Sequence, residues 1–351
     1  MKQEEIKVDG YEQVVKCVDG KSGLRAIIAI HDTTLGPALG GMRMWPYTKE
    51  EDALTDVLRL SRGMTYKSAV ADCGLGGGKS VIIGDSRKDK TPELFMAMGE
   101  FVESLDGRYI TAEDVGTSVE DMTHVYKKTK HVTGLSREVG SSGDPSPFTA
   151  HGIFLGIKVS CKEKYGSDDV EGKVIAVQGL GHVGWYICQF LAEAGAGLVV
   201  TDISAGLVGK SVKEFKADAV DADVIYDVEC DVFCPCALGA IINDDTINRF
   251  KCGIIAGAAN NQLHDIDMHG KMLRDRDILY APDYVINSGG LINVSMELEP
   301  SGYNEEKSRA KISNIPKALE ECYRIAKEEG ISTAAAADHL AEARIAAGKK
   351  S

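Results

Sequence analysis

The chain has 351 residues, 44% of them hydrophobic and 26% charged, with a formal net charge of −13. Such a chain is long enough for two globular domains, and its acidity argues against nucleic acid or an anionic membrane as the main partner. The opening Met1-Lys-Gln-Glu-Glu5 has no apolar leader core, and no apolar run is long enough to span a bilayer.

In chain order, residues 24–30 (Leu-Arg-Ala-Ile-Ile-Ala-Ile) read as a strand. Thr48-x-x-Glu51 reads as a capping box that opens a helix with Leu54, Val57, Leu58 and Ser61 on one face. The next feature is Ala71-Asp-Cys-Gly-Leu-Gly-Gly-Gly-Lys79-Ser80, after a short apolar segment that reads as a weak buried strand. It imitates a phosphate loop, but a Walker A motif needs glycine six residues before the lysine, and Cys73 stands there. The glycines instead suggest that a small substrate sits against Lys79. A lysine in an apolar pocket loses proton affinity and can serve as a base, and Lys67, twelve residues earlier, adds a second ammonium group. Thr91-Pro92 forms an N-cap and first helical residue, with Phe95, Met98, Val102 and Leu105 as the buried stripe behind it. A short strand over 108–112 then delivers Glu113 and Asp114 to its end, where Asp114 supplies a carboxylate for proton transfer.

Residues 137–147 are rich in turn formers and mark a domain boundary. Beyond them Thr149 opens a helix to about Tyr165. Strand 173–178, helix 182–194 and strands 198–202, 231–235, 253–257 and 278–281 follow in a doubly wound pattern. The first strand runs into Gly179-Leu180-Gly181-His182-Val183-Gly184, and the second ends in Asp202. Each part suits a dinucleotide. Gly179 makes the turn, Gly181 admits a pyrophosphate to the backbone, and Gly184 lets the helix pack on the strand. The helix N-terminus meets the phosphates, and Asp202 bonds both ribose hydroxyls and repels a 2′-phosphate, favouring NAD. Pro316 should split the helical stretch 304–329, and Ser332 can cap a last helix to about Ala347. The nine cysteines have no regular framework. They fit reduced thiols in a cytoplasm; Cys230, Cys234, Cys236 and Cys252 read as core residues, and no metal site is expected.

Together these residues carry a resemblance. Gly36-Pro-Ala-Leu-Gly-Gly41, Gly63-Met-Thr-Tyr-Lys-Ser68, Gly76-Gly-Gly-Lys79, Thr111-Ala-Glu-Asp-Val-Gly116, Ser142-Gly-Asp-Pro-Ser-Pro147, Pro235-Cys-Ala-Leu-Gly239, Gly257-Ala-Ala-Asn-Asn-Gln262 and Ala281-Pro-Asp-Tyr-Val-Ile-Asn-Ser-Gly-Gly290 run in family order. The chain resembles the glutamate, leucine, phenylalanine and valine dehydrogenase superfamily, most strongly its leucine dehydrogenase branch. The resemblance implies an α/β protein of two domains and a C-terminal helix. Residues 1–136 would form an N-terminal α/β dimerisation and catalytic domain. Residues 137–330 would form a Rossmann-type doubly wound NAD-binding domain. The helix within 331–351 would pack back on the N-terminal domain. It implies that Lys67 holds the substrate α-carboxylate, Lys79 is the general base or acid, and Asp114 shuttles a proton to and from the amino nitrogen. Asn260 and Asn261 would lie near the nicotinamide ribose and substrate, and Thr149 and Asn287 would orient the carboxamide. A homo-oligomer, an octamer or another dimer-based assembly, is implied as well.

Glutamate-specific members carry a lysine where Leu39 stands, before Gly40-Gly41, so a side-chain carboxylate would be unpaired here. The implied side-chain pocket maps to Leu39, Gly40, Ala112, Leu291 and Val294, which points to an apolar substrate. Ala112 resembles leucine enzymes, whereas Leu291 resembles phenylalanine and tryptophan enzymes. Met42, Ser288, Trp185 and the segment Ser295-Met-Glu-Leu-Glu-Pro-Ser301 depart from the family's usual residues. The expected activity is NAD-dependent oxidative deamination of leucine and other branched-chain L-amino acids to 2-oxo acid and ammonia. A phenylalanine or tryptophan type, a different dehydrogenase chemistry and a catalytically silent NAD-binding sensor are the alternatives.

Overall fold

The computed structural model describes residues 1–136 and 140–349. The chain divides into two compact units. One is built from Met1–Asp144, Val294–Glu305 and Glu342–Ser351, the other from Pro145–Asn293 and Glu306–Ala341. The domain start expected at 137, and residues 137–139 of the turn-rich stretch, lie outside the described residues.

The first unit contains strands β1 (Lys2–Glu5), β2 (Gln13–Asp19), β3 (Leu24–Asp32), β4 (Ala38–Trp45), β5 (Gly76–Ile83) and β6 (Tyr109–Glu113). Its helices are α1 (Glu50–Val70), α2 (Pro92–Glu103) and α3 (Val119–Tyr126). The strands form one sheet in the order β1-β2-β3-β5-β4-β6. The pairs from β1 to β5 are antiparallel, while β4 runs parallel to both β5 and β6. Successive side chains of a strand point to opposite faces, and both faces here are covered. Ile28, Ile30, Met42, Met44 and Ile82 pack with Phe95, Met98 and Val102 of α2 and Met122 and Val125 of α3. On the other face Ile27, Ala29 and Val81 pack with Ala53 and Val57 of α1, and Leu54 and Leu58 lie half-buried beside them. Cover on both sides explains the unbroken apolar run in β3.

Two local expectations fail here. The Thr48 capping box does not form: α1 starts one residue later, with Lys49 at its N-cap and no side-chain cap. Glu50, Glu51 and Asp52 crowd the first turn instead, where the helix end is positive. The segment before the glycine run is the end of α1 rather than a strand, and the chain reverses at Asp72, whose φ is 50°. The strand comes later and contains the glycines, because β3 and β4 pair with it on either side and override glycine's poor strand preference. The α2 start is as expected: the Thr91 side chain accepts from Leu94 N–H and Pro92 follows.

The rest of the chain contains α4 (Ser146–Tyr165), β7 (Val174–Gln178), α5 (His182–Glu193), β8 (Gly197–Thr201), α6 (Ala205–Phe215), β9 (Asp218–Ala219), β10 (Val232–Pro235) and β11 (Ile254–Ile255). It continues with α7 (Ile266–Asp275), β12 (Leu279–Tyr280), α8 (Asp283–Ile286), α9 (Gly289–Ser295), α10 (Glu305–Ile312), α11 (Ile315–Glu329) and α12 (Thr333–Gly348). The second sheet is parallel throughout, in the order β12-β11-β10-β7-β8-β9. This is the doubly wound order, and it reverses direction between β7 and β10. Pro316 falls in the first turn of α11 and separates it from α10, and Ser332 Oγ accepts from Ala335 N–H at 3.2 Å to cap α12. All nine cysteines are free thiols. No described helix is long and apolar enough to cross a membrane.

Candidate active site

Parallel pairing sets the first unit's site. β4 lies between β5 and β6, so Gly41 stands opposite Ala112, and the register of β4 on β5 runs from Leu39↔Gly77 to Met42↔Ser80. Lys79 is thereby carried to the row that holds Gly41 and Ala112, and the turn after β6 presents Asp114. The Lys79 ammonium is buried and lies 2.7 Å from Asp114 Oδ2. Burial by itself raises a carboxyl's pKa, but the Lys79 ammonium and the Arg43 guanidinium outweigh it and hold Asp114 below the usual carboxylate value. Asp114 is anchored at its backbone, where its N–H donates to Thr117 Oγ1 at 2.9 Å and Thr117 Oγ1 donates to the Met42 carbonyl at 2.8 Å.

The glycines around Lys79 do different work from that expected. A Cβ on Gly77 would stand 2.0 Å from Thr65 N of α1, and one on Gly78 would stand 2.7 Å from the Tyr109 ring. One on Gly40 would stand 1.7 Å from the Gly78 carbonyl oxygen. At these positions the missing side chain admits neighbouring strands and helix α1 rather than a substrate. Tyr109, wholly buried, donates from its hydroxyl to the Gly40 carbonyl at 2.7 Å. The glycine that opens space beside the lysine is Gly41, whose missing side chain leaves room for Asp114 and Lys79 Nζ.

Lys67 lies half-buried on the last turn of α1. Arg344 caps that turn, donating from Nη1 to the carbonyls of Ala69 (3.2 Å) and Val70 (2.7 Å), and Tyr66 donates to Glu342. Leu39 is buried within the sheet, and Ala112 and Val294 are half-buried. Sequence reasoning missed Arg43, which bonds Asp114 and Asp56 together. The available signal was a cation between two buried methionines, Met42 and Met44.

In the second unit, β7 turns into α5 through the glycine fingerprint. Gly179 has φ 101°, in the region that favours glycine. A Cβ on Gly184 would stand 2.1 Å from the Gly179 carbonyl oxygen, so only glycine lets the helix approach this closely. A Cβ on Gly181 would meet nothing within 4 Å, leaving open space over the turn. Gly181 is also the N-cap of α5 and has no side chain to occupy the first-turn N–H groups, beside exposed His182 and half-buried Val183. Asp202 Oδ2 accepts from Leu180 N–H and Oδ1 from Ser204 N–H, both at 2.7 Å. Each oxygen keeps a lone pair for a further donor. Open space, uncapped amides and an oriented carboxylate are what a pyrophosphate and an adenosine ribose require.

Further along, Asn287 is buried and donates from Nδ2 to Asn260 Oδ1 at 2.9 Å and to the Ala258 carbonyl at 3.1 Å. A Cβ on Gly290 would stand 2.6 Å from Thr149 Oγ1, so α9 brings Thr149 close to its own start. Asn260 and Asn261 are exposed, and Asn261 has φ 51°. Leu291 is half-buried on α9. Cys234 and Cys236 lie at the end of β10 with sulfurs 3.6 Å apart. Among the described residues no group of three or more His, Cys, Asp or Glu side chains is arranged to hold a metal ion.

Residues 11–131 match the Glu/Leu/Phe/Val dehydrogenase dimerisation domain, and residues 208–351 match the Glutamate/Leucine/Phenylalanine/Valine dehydrogenase family. The chain belongs to this family. It is 58% identical over 335 residues to a leucine dehydrogenase of Thermoactinomyces intermedius, covering 95% of this chain and 91% of that one. It is 50% identical over 344 residues to a phenylalanine dehydrogenase of Caldalkalibacillus thermarum, covering 97% and 92%. The crystal structure of L-tryptophan dehydrogenase from Nostoc punctiforme superimposes with a TM-score of 0.88 at 46% identity, covering 97% of each chain. Among Glu/Leu/Phe/Val dehydrogenases the chain is thus similar to members named for both aliphatic and aromatic amino acids.

Proposed function

We propose that the protein catalyses the NAD-dependent, reversible oxidative deamination of an apolar L-amino acid, leucine and other branched-chain amino acids first, to the 2-oxo acid and ammonia. The observation that carries this reading is the buried Lys79–Asp114 pair at 2.7 Å, beside a strand position without a side chain. Lys67 would hold the substrate carboxylate. Asp114 takes a proton from the substrate ammonium, so the nitrogen lone pair can form a C=N bond as the Cα hydride departs. NAD, when bound at Gly179–Gly184 and Asp202, supplies the acceptor for that hydride. Thr149 and Asn287 would orient its carboxamide, with Asn260 and Asn261 near its ribose and the substrate. Lys79, once it has released its own ammonium proton, removes a proton from the water that adds to the imino carbon, returns it to the nitrogen that leaves as ammonia, and takes up the hydroxyl proton as the 2-oxo group forms.

Leu39, Gly40, Ala112, Leu291 and Val294 would meet the substrate side chain. None can pair a carboxylate, which disfavours glutamate. The higher identity to a leucine than to a phenylalanine dehydrogenase, 58% against 50%, supports aliphatic substrates. Leu291 favours the second reading, an aromatic substrate; one methylene in an apolar pocket is worth only about 1–3 kcal/mol. The match of residues 11–131 to a dimerisation domain supports a homo-oligomer assembled through the first unit.

The test follows NADH absorbance with ammonia and 4-methyl-2-oxopentanoate, 3-methyl-2-oxobutanoate, phenylpyruvate, indolepyruvate or 2-oxoglutarate. Ammonia-dependent oxidation fastest with the branched-chain acids supports the proposal, and faster aromatic acids move it to the second reading. NADH binding without turnover of any acid refutes it. Lys79→Ala should abolish turnover while NADH still binds, and Lys67→Ala should raise the KM for the 2-oxo acid.

A further inference from the structure

Behind Asp114 stands a line of charge that the deamination chemistry does not itself require. Arg43 Nε reaches Asp114 Oδ2 at 3.2 Å, and Arg43 Nη1 reaches Asp56 Oδ2 at 2.9 Å. The same Asp56 oxygen accepts from the Tyr47 hydroxyl at 2.6 Å, and Asp56 Oδ1 meets Arg59 at 3.3 Å. Lys79, Asp114, Arg43, Asp56 and Arg59 therefore alternate in sign from the buried end outward. The middle of the line is sheltered: side-chain exposure is 21% for Arg43 and 17% for Asp56, against 66% for Arg59.

We propose that Arg43 is a positioning residue for the reaction: it fixes the Asp114 carboxylate beside Lys79 in ionised form, and Asp56 and Tyr47 hold Arg43 in place. The inference rests on the reading of Asp114 as the proton carrier. A pair that only tied β4 to α1 would be complete with Arg43 and Asp56. The Nε bond to Asp114 is a second, separately directed contact, made across 71 residues of sequence. Arg43 and Lys79 both approach Oδ2, so together they set the rotation of the carboxylate as well as its charge. β4 is hydrogen-bonded on both sides, so the Arg43 backbone is held firmly. A guanidinium keeps its charge at any working pH, and its planar fork holds two carboxylates in fixed directions, whereas an ammonium is a compact point charge on a flexible stem.

The charged groups that face Asp114 are Lys79 from β5 and Arg43 from β4. Glu113 adjoins it on β6, and α1 contributes Asp56 and Arg59 behind Arg43, with Lys67 on its last turn. Removing Arg43 takes away one of two cations that keep Asp114 ionised, so its carboxyl should protonate at higher pH.

The test uses the full-length protein and two readouts. The first is labelling of Asp114 by carbodiimide and glycine ethyl ester, followed across pH by peptide mass spectrometry, which tracks the protonated carboxyl without turnover. The second is the pH profile of kcat/KM. Arg43→Gln should raise the labelling midpoint by on the order of one pH unit, move the acid limb in the same direction and lower kcat about 10–100-fold, with NADH binding retained. Arg43→Lys should recover part of each effect, and Tyr47→Phe should shift both midpoints less, in the same direction. A wild-type midpoint and profile in Arg43→Gln overturns the proposal. Should Arg43→Gln not fold, wild-type behaviour in both Arg43→Lys and Tyr47→Phe overturns it equally. Asp114→Asn separates the two levels: surviving turnover refutes the reading of Asp114 along with the proposal. An inactive Asp114→Asn beside an unmoved Arg43→Gln refutes the proposal alone.

Discussion

A methyl group at Gly41 would stand 2.7 Å from Asp114 Cβ, 2.9 Å from the Glu113 carbonyl oxygen and 3.3 Å from Lys79 Nζ. Carbon atoms in good contact sit about 3.5–4.0 Å apart, so the first of these distances is short by about 1 Å. The Glu113 carbonyl belongs to β6, paired to β4 in register, and yields little. The parts able to move are the Asp114 and Lys79 side chains, now 2.7 Å apart. Displacing a reacting group by about 1 Å costs about a hundredfold in rate, and overpacking costs about 1–3 kcal/mol. Gly41→Ala should therefore fold, melt a few degrees below wild type and lose most of its kcat, with NADH binding unchanged. Gly40→Ala is the internal comparison. Its Cβ would stand 1.7 Å from the Gly78 carbonyl, between backbones that cannot separate without breaking the sheet, so no folded protein is expected. Thermal melting by circular dichroism and initial rates of ammonia-dependent NADH oxidation measure both. A Gly41→Ala enzyme with wild-type rate and melting temperature would refute the claim that this glycine makes the room for the pair.

Four further outcomes are expected. Gly181→Ala should fold normally, because nothing lies within 4 Å of the added carbon, yet bind NADH more weakly. Gly184→Ala should be destabilised by its 2.1 Å clash; fluorescence titration and melting curves separate the two, and equal behaviour would undo the division of roles. Arg344→Ala removes the bonds to the Ala69 and Val70 carbonyls that close α1, at a cost of about 1–3 kcal/mol, and should raise the 2-oxo acid KM through Lys67 with little change in NADH affinity. Asp114 has a lowered carboxyl pKa in the folded protein, so its contribution to stability is present above the ordinary aspartate value and is lost as pH falls through the folded one. The difference in melting temperature between wild type and Asp114→Asn should accordingly shrink on acidification below about pH 4; a constant difference would contradict the pairing.

What the sequence determined by itself is mostly local. Gly179, Gly181 and Gly184 lie on one strand-turn-helix connection, and Asp202 ends the next strand, so backbone rules alone specify their geometry. The same holds for Thr91-Pro92 at the start of α2, Pro316 at the break before α11 and Ser332 at the cap of α12. Thr48 failed as a cap because side-chain capping depends on where the incoming chain is led, and here the three acids at the start of α1 meet the helix end instead. In the first unit, tertiary structure alone decided which side chains meet. Gly40 and Gly41 are identical in sequence terms, yet one faces the Gly78 carbonyl and the other faces Lys79 and Asp114, since neighbours on a strand point to opposite faces. Gly76–Gly78 form a strand against their own preference because β3 and β4 supply partners on both sides. Arg43, Lys79 and Asp114 meet only because β4 lies between β5 and β6. Parallel neighbours must be far apart in sequence, so no local pattern announces which of their side chains will share a row.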